Sequence, residues 1–319
     1  KVPAAAQATK RGQLFILDRR TGAPLVPVAE RPAPQRGKAP DERLSPTQPY
    51  PVGFPSFAGD RLTEKDMWGV TPLDQLWCRI EFRHLRYDGD STPPGLDRSL
   101  TYPSIGGGMN YGGVAFDPER GIMVVNSMYY GTILQLVPRA ETDRLRDAAT
   151  AGGGSHSVTN FAVPLPMPGT PYGARITGLM SPLNAPCNKP PYGKLSAVDM
   201  RTNKLLWSRP IGSARDTGPF GVASHLPIPM GMPMFSGSMV TRSGLMFIGA
   251  TQDRTFRAFD TTSGRLLWST RLPGGAQANP MSYVSPKTGR QYVVVSAGGH
   301  VMLRSPMSDA VVAFALPKK

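Results

Sequence analysis

The chain has 319 residues, of which 35 are Gly and 34 are Pro, with 40% apolar and 18% charged. So much Gly and Pro excludes a helix bundle, the apolar share excludes a disordered chain, and what remains is a core of short strands joined by many turns. The net charge is +14, but the basic residues are scattered: the nearest cluster, Arg79, Arg83 and Arg86, is interrupted by Glu81, and without a basic arm or a nucleic-acid-binding signature no nucleic acid partner is expected.

The chain opens on KVPAAAQATK. No signal peptide stands there, and the stretch reads as the lead-in to a strand, as if cut from something larger. Residues 12–25, GQLFILDRRTGAPL, then give the first of several related segments. Alternating apolar residues (Leu14, Ile16) lead into Asp18, Thr21 and Gly22. The alternation marks a half-buried strand. Asp-x-x-Thr-Gly marks a tight turn in which Asp caps its own backbone and Gly takes a positive φ. Residues 112–126 repeat the pattern with Asp117 and Gly121, residues 193–209 with Asp199, and residues 254–271 with Asp260. The last two both run on into Leu-Leu-Trp, and Asp199 to Asp260 and Trp207 to Trp268 are each 61 positions. A degenerate last copy is QYVVVSAGG followed by AVVAFALP.

Recurring hairpins of this kind predict the blades of a β-propeller, typically about four strands each. Trp77, Trp207 and Trp268 are expected to pack blade on blade, while Trp68 sits in a turn-rich motif. The Pro- and Gly-rich stretches 28–60, 87–112, 150–192 and 213–240 are expected to be loops on one face, where binding sites tend to sit. Helix signals are weak, and 140–150 is the best short candidate. Cys78 and Cys187 lack CxxC spacing, and one disulfide and two buried thiols remain equally open. His84, His156 and His225 are too dispersed for a metal signature, and the Met residues of PMGMPMF (229–235) read as loop packing. No apolar run reaches the roughly 18 residues needed to span a bilayer.

Several longer strings resemble one family. QATKRGQLFILDRRTGAPLVPV (7–28), SPTQPYPVGFPSF (45–57), LTEKDMWGVTPLDQLWCRIEFRHLRYDGDSTPP (62–94), GGMNYGGVAFDPERG (107–121), IGATQDRTFRAFDTTSGRLLW (248–268) and LPGGAQANPMSYVSPKTGRQYVVVSAGGH (272–300) resemble, collinearly and nearly end to end, the membrane-bound glucose dehydrogenases that depend on pyrroloquinoline quinone (PQQ). Quinate/shikimate and polyol enzymes share these motifs. The resemblance implies an all-β chain: residues 1–319 as the C-terminal part of an eight-bladed quinoprotein propeller, about four to five blades. It implies PQQ with Ca²⁺ or Mg²⁺, the metal ligands lying mainly outside this chain. The implied partners are a sugar or polyol substrate, ubiquinone, the N-terminal half of the propeller, and the periplasmic face of the inner membrane. For glucose the product is the lactone.

Four residues carry the implied site. Lys10 corresponds to the lysine that contacts the quinone oxygens, where an ammonium stabilises developing negative charge. Asn110, in the Gly-rich turn, stands beside the cofactor, with Tyr111 in place of the usual Trp. Asp253, in the turn before an inner strand, orients or pairs with a cation, Lys10 being the candidate. His300, after two glycines, lies at the substrate end, able to hydrogen-bond a hydroxyl or shuttle a proton. After it the chain reads Val-Met-Leu-Arg, departing from the small, Gly-rich continuation of glucose enzymes. The resemblance implies that the family's base, metal ligands and cofactor-stacking Trp lie mainly in the preceding half. The alternative class is a non-catalytic propeller scaffold of the cell envelope, which has no need of Lys10, Asp253 and His300.

Overall fold

The computed structural model describes residues 2–40, 42–151 and 163–317. The chain begins with a hairpin, β1 (Ala4–Ala8) and β2 (Leu14–Asp18), followed by a second, β3 (Val28–Pro32) and β4 (Thr47–Pro51). Helix α1 (Pro72–His84) and strand β5 (Ser99–Thr101) precede β6 (Val114–Asp117), β7 (Ile122–Met128) and β8 (Thr132–Pro138). Helix α2 (Arg139–Ala151) leads to β9 (Leu165–Pro166), β10 (Tyr172–Gly178), β11 (Gly193–Asp199) and β12 (Lys204–Pro210). Two meanders finish the chain: β13 (Ser238–Val240), β14 (Leu245–Ile248), β15 (Thr255–Asp260) and β16 (Leu266–Arg271), then β17 (Met281–Val284), β18 (Gln291–Ser296) and β19 (Val311–Phe314).

Four sheets stack in an open series with apolar side chains between successive faces. Leu14 and Ile16 of the first hairpin meet Met123, Val125 and Val198 of the sheet β12-β11-β7-β6. The other side of that sheet presents Ile122, Val124, Leu195 and Ala197 to Met246, Ile248 and Phe259 of the sheet β13-β14-β15-β16. Phe256 then faces Val293, Val295 and Phe314 of β17-β18-β19. Each strand serves two cores because its side chains alternate faces.

The turns form as the sequence predicts. Asp18, Asp117, Asp199 and Asp260 each accept from a backbone N–H two or three residues on, at 2.7–3.1 Å. Gly22, Gly121 and Gly264 take positive φ, and Asn203 does so in the third copy. The 61-residue repeat extends to an irregularity: the register of β11 with β12 shifts at Ala197/Val198, and that of β15 with β16 at Ala258/Phe259.

Trp207 stands on the next sheet's turn, its indole N–H donating to the Thr261 carbonyl at 3.0 Å. Trp268 packs edge-on against Phe314, centroids 5.2 Å apart. Trp77 departs from the expectation. It lies on α1, an element the sequence reading did not foresee, and is 38% exposed. The helix starts with Pro72 after the Thr71 cap, which accepts from Asp74 N–H at 3.2 Å. Its buried side holds Cys78, disulfide-bonded to Cys187, against Leu85, Leu100, Ile133 and Leu179. The basic cluster nearby is neutralised: Arg79 and Arg83 pair with Glu64, Arg86 with Asp97.

Two further expectations change. The segments 112–126 and 193–209 are not separate blades but the two hairpins of one sheet, joined through β7 and β11. The stretches between them are not simply loops: β5, β8, β10 and β9 pair into a sheet of their own, against which α2 rests. His156 lies outside the described residues.

Candidate active site

Lys10 sits in the turn from β1 to β2. Gly12, at φ +79°, packs so close to the Ala58 backbone that no side chain fits there. The Lys10 carbonyl accepts from Gly108 N–H at 2.7 Å. Gly107, at φ +91°, presses on the same residue: a Cβ there would stand 2.7 Å from Lys10 Cβ. The glycine run is therefore a cradle in which two backbones approach more closely than side chains permit. It fixes the stem of Lys10 and leaves the side chain exposed, with no ion-pair partner among the described residues.

Asn110 closes this glycine turn. Its amide N–H donates to the Gly106 carbonyl, and its Oδ1 accepts from Tyr111 N–H at 2.8 Å. The amide is thus spent on holding the loop. The group it presents is Tyr111, 61% exposed, whose hydroxyl donates to the Gln277 carbonyl at 3.1 Å. Tyr111 lies against Phe235, centroids 6.1 Å apart, and Phe235 against His300, centroids 4.9 Å apart. Phe235 is in turn anchored through its N–H to Gln277 Oε1 at 2.9 Å, with Met128, Leu303 and Tyr130 around it.

His300 heads a short turn closed by Ser305. Its N–H donates to Ser305 Oγ at 2.8 Å, and Ser305 N–H returns a bond to the His300 carbonyl at 3.2 Å. The imidazole Nδ1 is buried without a partner. Burial pushes its pKa down, so the ring is neutral at neutral pH.

Asp253 is 1% exposed. The cation beside it is Arg257, four residues on, and not Lys10. Its carboxylate also accepts from Ser213 N–H at 2.9 Å, Ser213 Oγ at 3.0 Å and Thr251 Oγ1 at 2.6 Å. Burial alone would raise its pKa, but the Arg257 charge and these bonds outweigh it and hold the group below the usual carboxylate range. An acceptor this fully engaged builds the frame. The adjacent Gln252 donates to the Leu303 carbonyl, tying Asp253's turn to that of His300.

One continuous line of contacts thus runs from Lys10 through the glycine loop and Phe235 to His300, with Asp253 bracing its far end. Sequence reasoning missed Phe235, Gln277 and Arg257. Phe235 stands in a Met-rich run that reads as packing. Arg257 stands at i+4 from Asp253 across a turn, where no helical spacing flags it.

An uncommitted ammonium, an exposed aromatic face and an unpartnered imidazole nitrogen suit a flat, anionic, quinonoid ligand, so the residues fit the expected cofactor. Among the described residues no three His, Cys, Asp or Glu side chains gather to hold a metal ion.

Comparison with known proteins agrees with the geometry. Residues 1–293 match the PQQ family described as "Glucose/ethanol/alcohol dehydrogenase, beta-propeller domain". The chain is 47% identical over 317 residues to the quinate/shikimate dehydrogenase (quinone) of Acinetobacter baylyi, covering 99% of this chain and 38% of that protein. It is 45% identical to the glycerol dehydrogenase large subunit of Gluconobacter thailandicus, covering 99% and 43%. It is 40% identical to the quinoprotein glucose dehydrogenase of Escherichia coli, covering 99% and 39%. The chain therefore spans about two fifths of the length of these relatives.

Proposed function

We propose, from the premise that the chain belongs to the PQQ glucose/ethanol/alcohol dehydrogenase β-propeller family, that it supplies the quinone-contacting and substrate-end arc of a PQQ-dependent dehydrogenase. The enzyme oxidises a hydroxyl-bearing carbon of a sugar, a polyol or a hydroxylated acid. The observation that carries this reading is the line of contacts from Lys10 through the glycine loop to Tyr111, Phe235 and His300.

Bound PQQ would supply the hydride acceptor for the substrate carbon. Lys10, Tyr111 and His300 are the residues of this chain that would meet cofactor and substrate. The Lys10 stem is held by Gly107 and Gly108, and its exposed ammonium would supply positive charge to the bound quinone. Neutral His300 keeps its Nδ1 buried and would meet a substrate hydroxyl through the other ring nitrogen, where it can hold or pass a proton. Phe235 keeps the ring in place and water away from one face. Asn110 and Asp253 act by position: one locks the glycine cradle, the other the turn before β15.

In this reading Ca²⁺ or Mg²⁺ is held mainly by the rest of the protein, and electrons leave for ubiquinone at the periplasmic face of the inner membrane. The Cys78–Cys187 disulfide supports an oxidising compartment. No helix among the described residues is long and apolar enough to cross a membrane.

The test is PQQ binding and dye reduction by the full-length protein with quinate, glycerol and glucose. Lys10→Ala should weaken PQQ binding roughly tenfold or more while leaving Tm unchanged, because the side chain is exposed. Normal PQQ binding by that variant would sink the Lys10 role. A wild-type protein that binds no PQQ and oxidises none of the three substrates would sink the enzyme reading.

A further inference from the structure

We propose that the outer face of helix α1 is a docking surface for a bilayer carrying anionic headgroups, and that the helix lies in the plane of that surface. The inference deepens the reading that the protein works at the inner membrane, and rests on it for the identity of the bilayer.

Leu73, Leu76, Trp77 and Ile80 stand at the i, i+3, i+4, i+7 spacing that lines one side of a helix. In a surface helix that side normally faces the core. Here the core side is a different one, where Cys78 packs against Leu100, Ile133 and Leu179. All four residues of the stripe are exposed, Leu73 to 78%, and Val70 extends the stripe just before the helix. Neither carboxylate of the helix enters it. Asp74 is buried, its Oδ2 accepting from Val70 N–H at 3.0 Å, and Glu81 is held by Arg98. A contiguous apolar stripe on a surface marks a place where something binds.

Two observations choose the occupant. The first is location. Leu100 and Ile133 belong to the sheet β5-β8-β10-β9, which stands outside the stacked series. Further blades would add at the ends of that series, beside β1–β2 or β17–β18–β19, and so would leave α1 uncovered.

The second is charge. The ion pairs around the helix turn their cations outward and sink their carboxylates. The Arg83 side chain is 70% exposed against 25% for Glu64, and that of Lys189 is 62% against 19% for Asp66. Arg98 over Glu81 has the same sense. Glu64 also pairs with Arg79, so one carboxylate answers two guanidinium groups. An apolar stripe with a tryptophan, rimmed by outward cations, is the pattern of a helix lying in a bilayer interface. The leucines enter the acyl boundary, the indole sits at headgroup level and the cations meet lipid phosphates.

The experiment uses the full-length protein with phosphatidylcholine vesicles built from brominated acyl chains, with and without phosphatidylglycerol. Subtracting the emission of Trp77→Phe, which keeps the stripe apolar, isolates the signal of Trp77. Vesicles containing phosphatidylglycerol should quench that signal and shift it to shorter wavelength, and vesicles without it should do so less. Leu73→Ser with Leu76→Ser removes two large apolar side chains. The lipid needed for half of the quenching, read the same way, should then rise roughly tenfold or more, with Tm and dye reduction unchanged. An unquenched Trp77 in the wild type, as when another protein segment covers the stripe, would overturn the proposal. So would equal quenching without phosphatidylglycerol, or an unchanged lipid requirement in the double variant. If Trp77 is quenched as expected but no substrate is oxidised, the docking surface stands and the dehydrogenase reading fails.

Discussion

The imidazole of His300 rests on the ring of Phe235, with centroids 4.9 Å apart and planes tilted by 54°. Phe235 is the side chain that the Gly-rich loop and the His300 turn share, so it sets their separation. Phe235→Ala should cost about 3–5 kcal/mol of stability from the cavity left behind. It should also lower kcat/KM by roughly 100-fold through misplacement of His300. Phe235→Leu should recover most of the stability and less of the activity, separating packing from positioning. Denaturant titration and steady-state kinetics on the two variants read both effects.

The pKa of His300 is lowered by burial from 6.5. The folded state then binds fewer protons than the unfolded state between the two values. Its contribution to stability is present above about 6.5 and is lost as pH falls through the folded value. His300→Gln, which cannot titrate, should show a shallower loss of Tm than the wild type from pH 7 to pH 5. Parallel profiles would mean that the ring is free to charge.

Asp253 behaves in the carboxylate sense. Arg257 and the Ser213 and Thr251 donors outweigh its burial, so its pKa lies below 3.8. Its contribution is present above the unfolded value and is lost only as pH falls through the folded one. Asp253→Asn leaves Arg257 buried without its partner and should cost roughly 3–5 kcal/mol at pH 7. Asp253→Asn with Arg257→Met should cost less than the single change, and a double-mutant cycle by urea unfolding measures the coupling.

Trp207 lies across Gly264, where a Cβ would come within 2.6 Å of the indole. Gly264 also sits at φ +65°. Gly264→Ala should therefore destabilise by about 1–3 kcal/mol, through backbone strain and displacement of Trp207. Trp207→Phe, which keeps a ring but loses the bond to the Thr261 carbonyl, should cost about 1 kcal/mol. Both are checked by thermal melts, with indole fluorescence reporting Trp207 in the glycine variant.

The turns were legible because Asp-x-x-Thr-Gly is chemistry confined to five residues, and the repeat because its spacing of 61 is identical at Asp and at Trp. Helix α1 was hidden by the tryptophan at 77, which reads as blade packing, although Thr71-Pro72 was there as a start signal. The pairing of Cys78 with Cys187 spans 109 residues, and no local pattern reports it. Lys10 and His300 could be singled out by the strings around them. The partner of Asp253 could not, because Arg257 reaches it only once the turn before β15 has folded back. Asn110 was named for its amide, whereas the loop offers Tyr111 outward and spends the amide on itself.

The sheet that carries both Asp117 and Asp199 has its two hairpins interrupted by residues 129–192, so Val124 meets Ala197 across more than seventy positions. Joining them requires closing a long loop before the contacts that repay it exist, a delay that grows with the sequence separation of the partners. The hairpins β6–β7 and β11–β12 can form early and locally, but the seam between them must wait for the intervening sheet to collapse. Lys10 and the glycine loop precede that seam's second strand in the chain and His300 follows it, so the site is assembled from segments that only long-range contacts bring together.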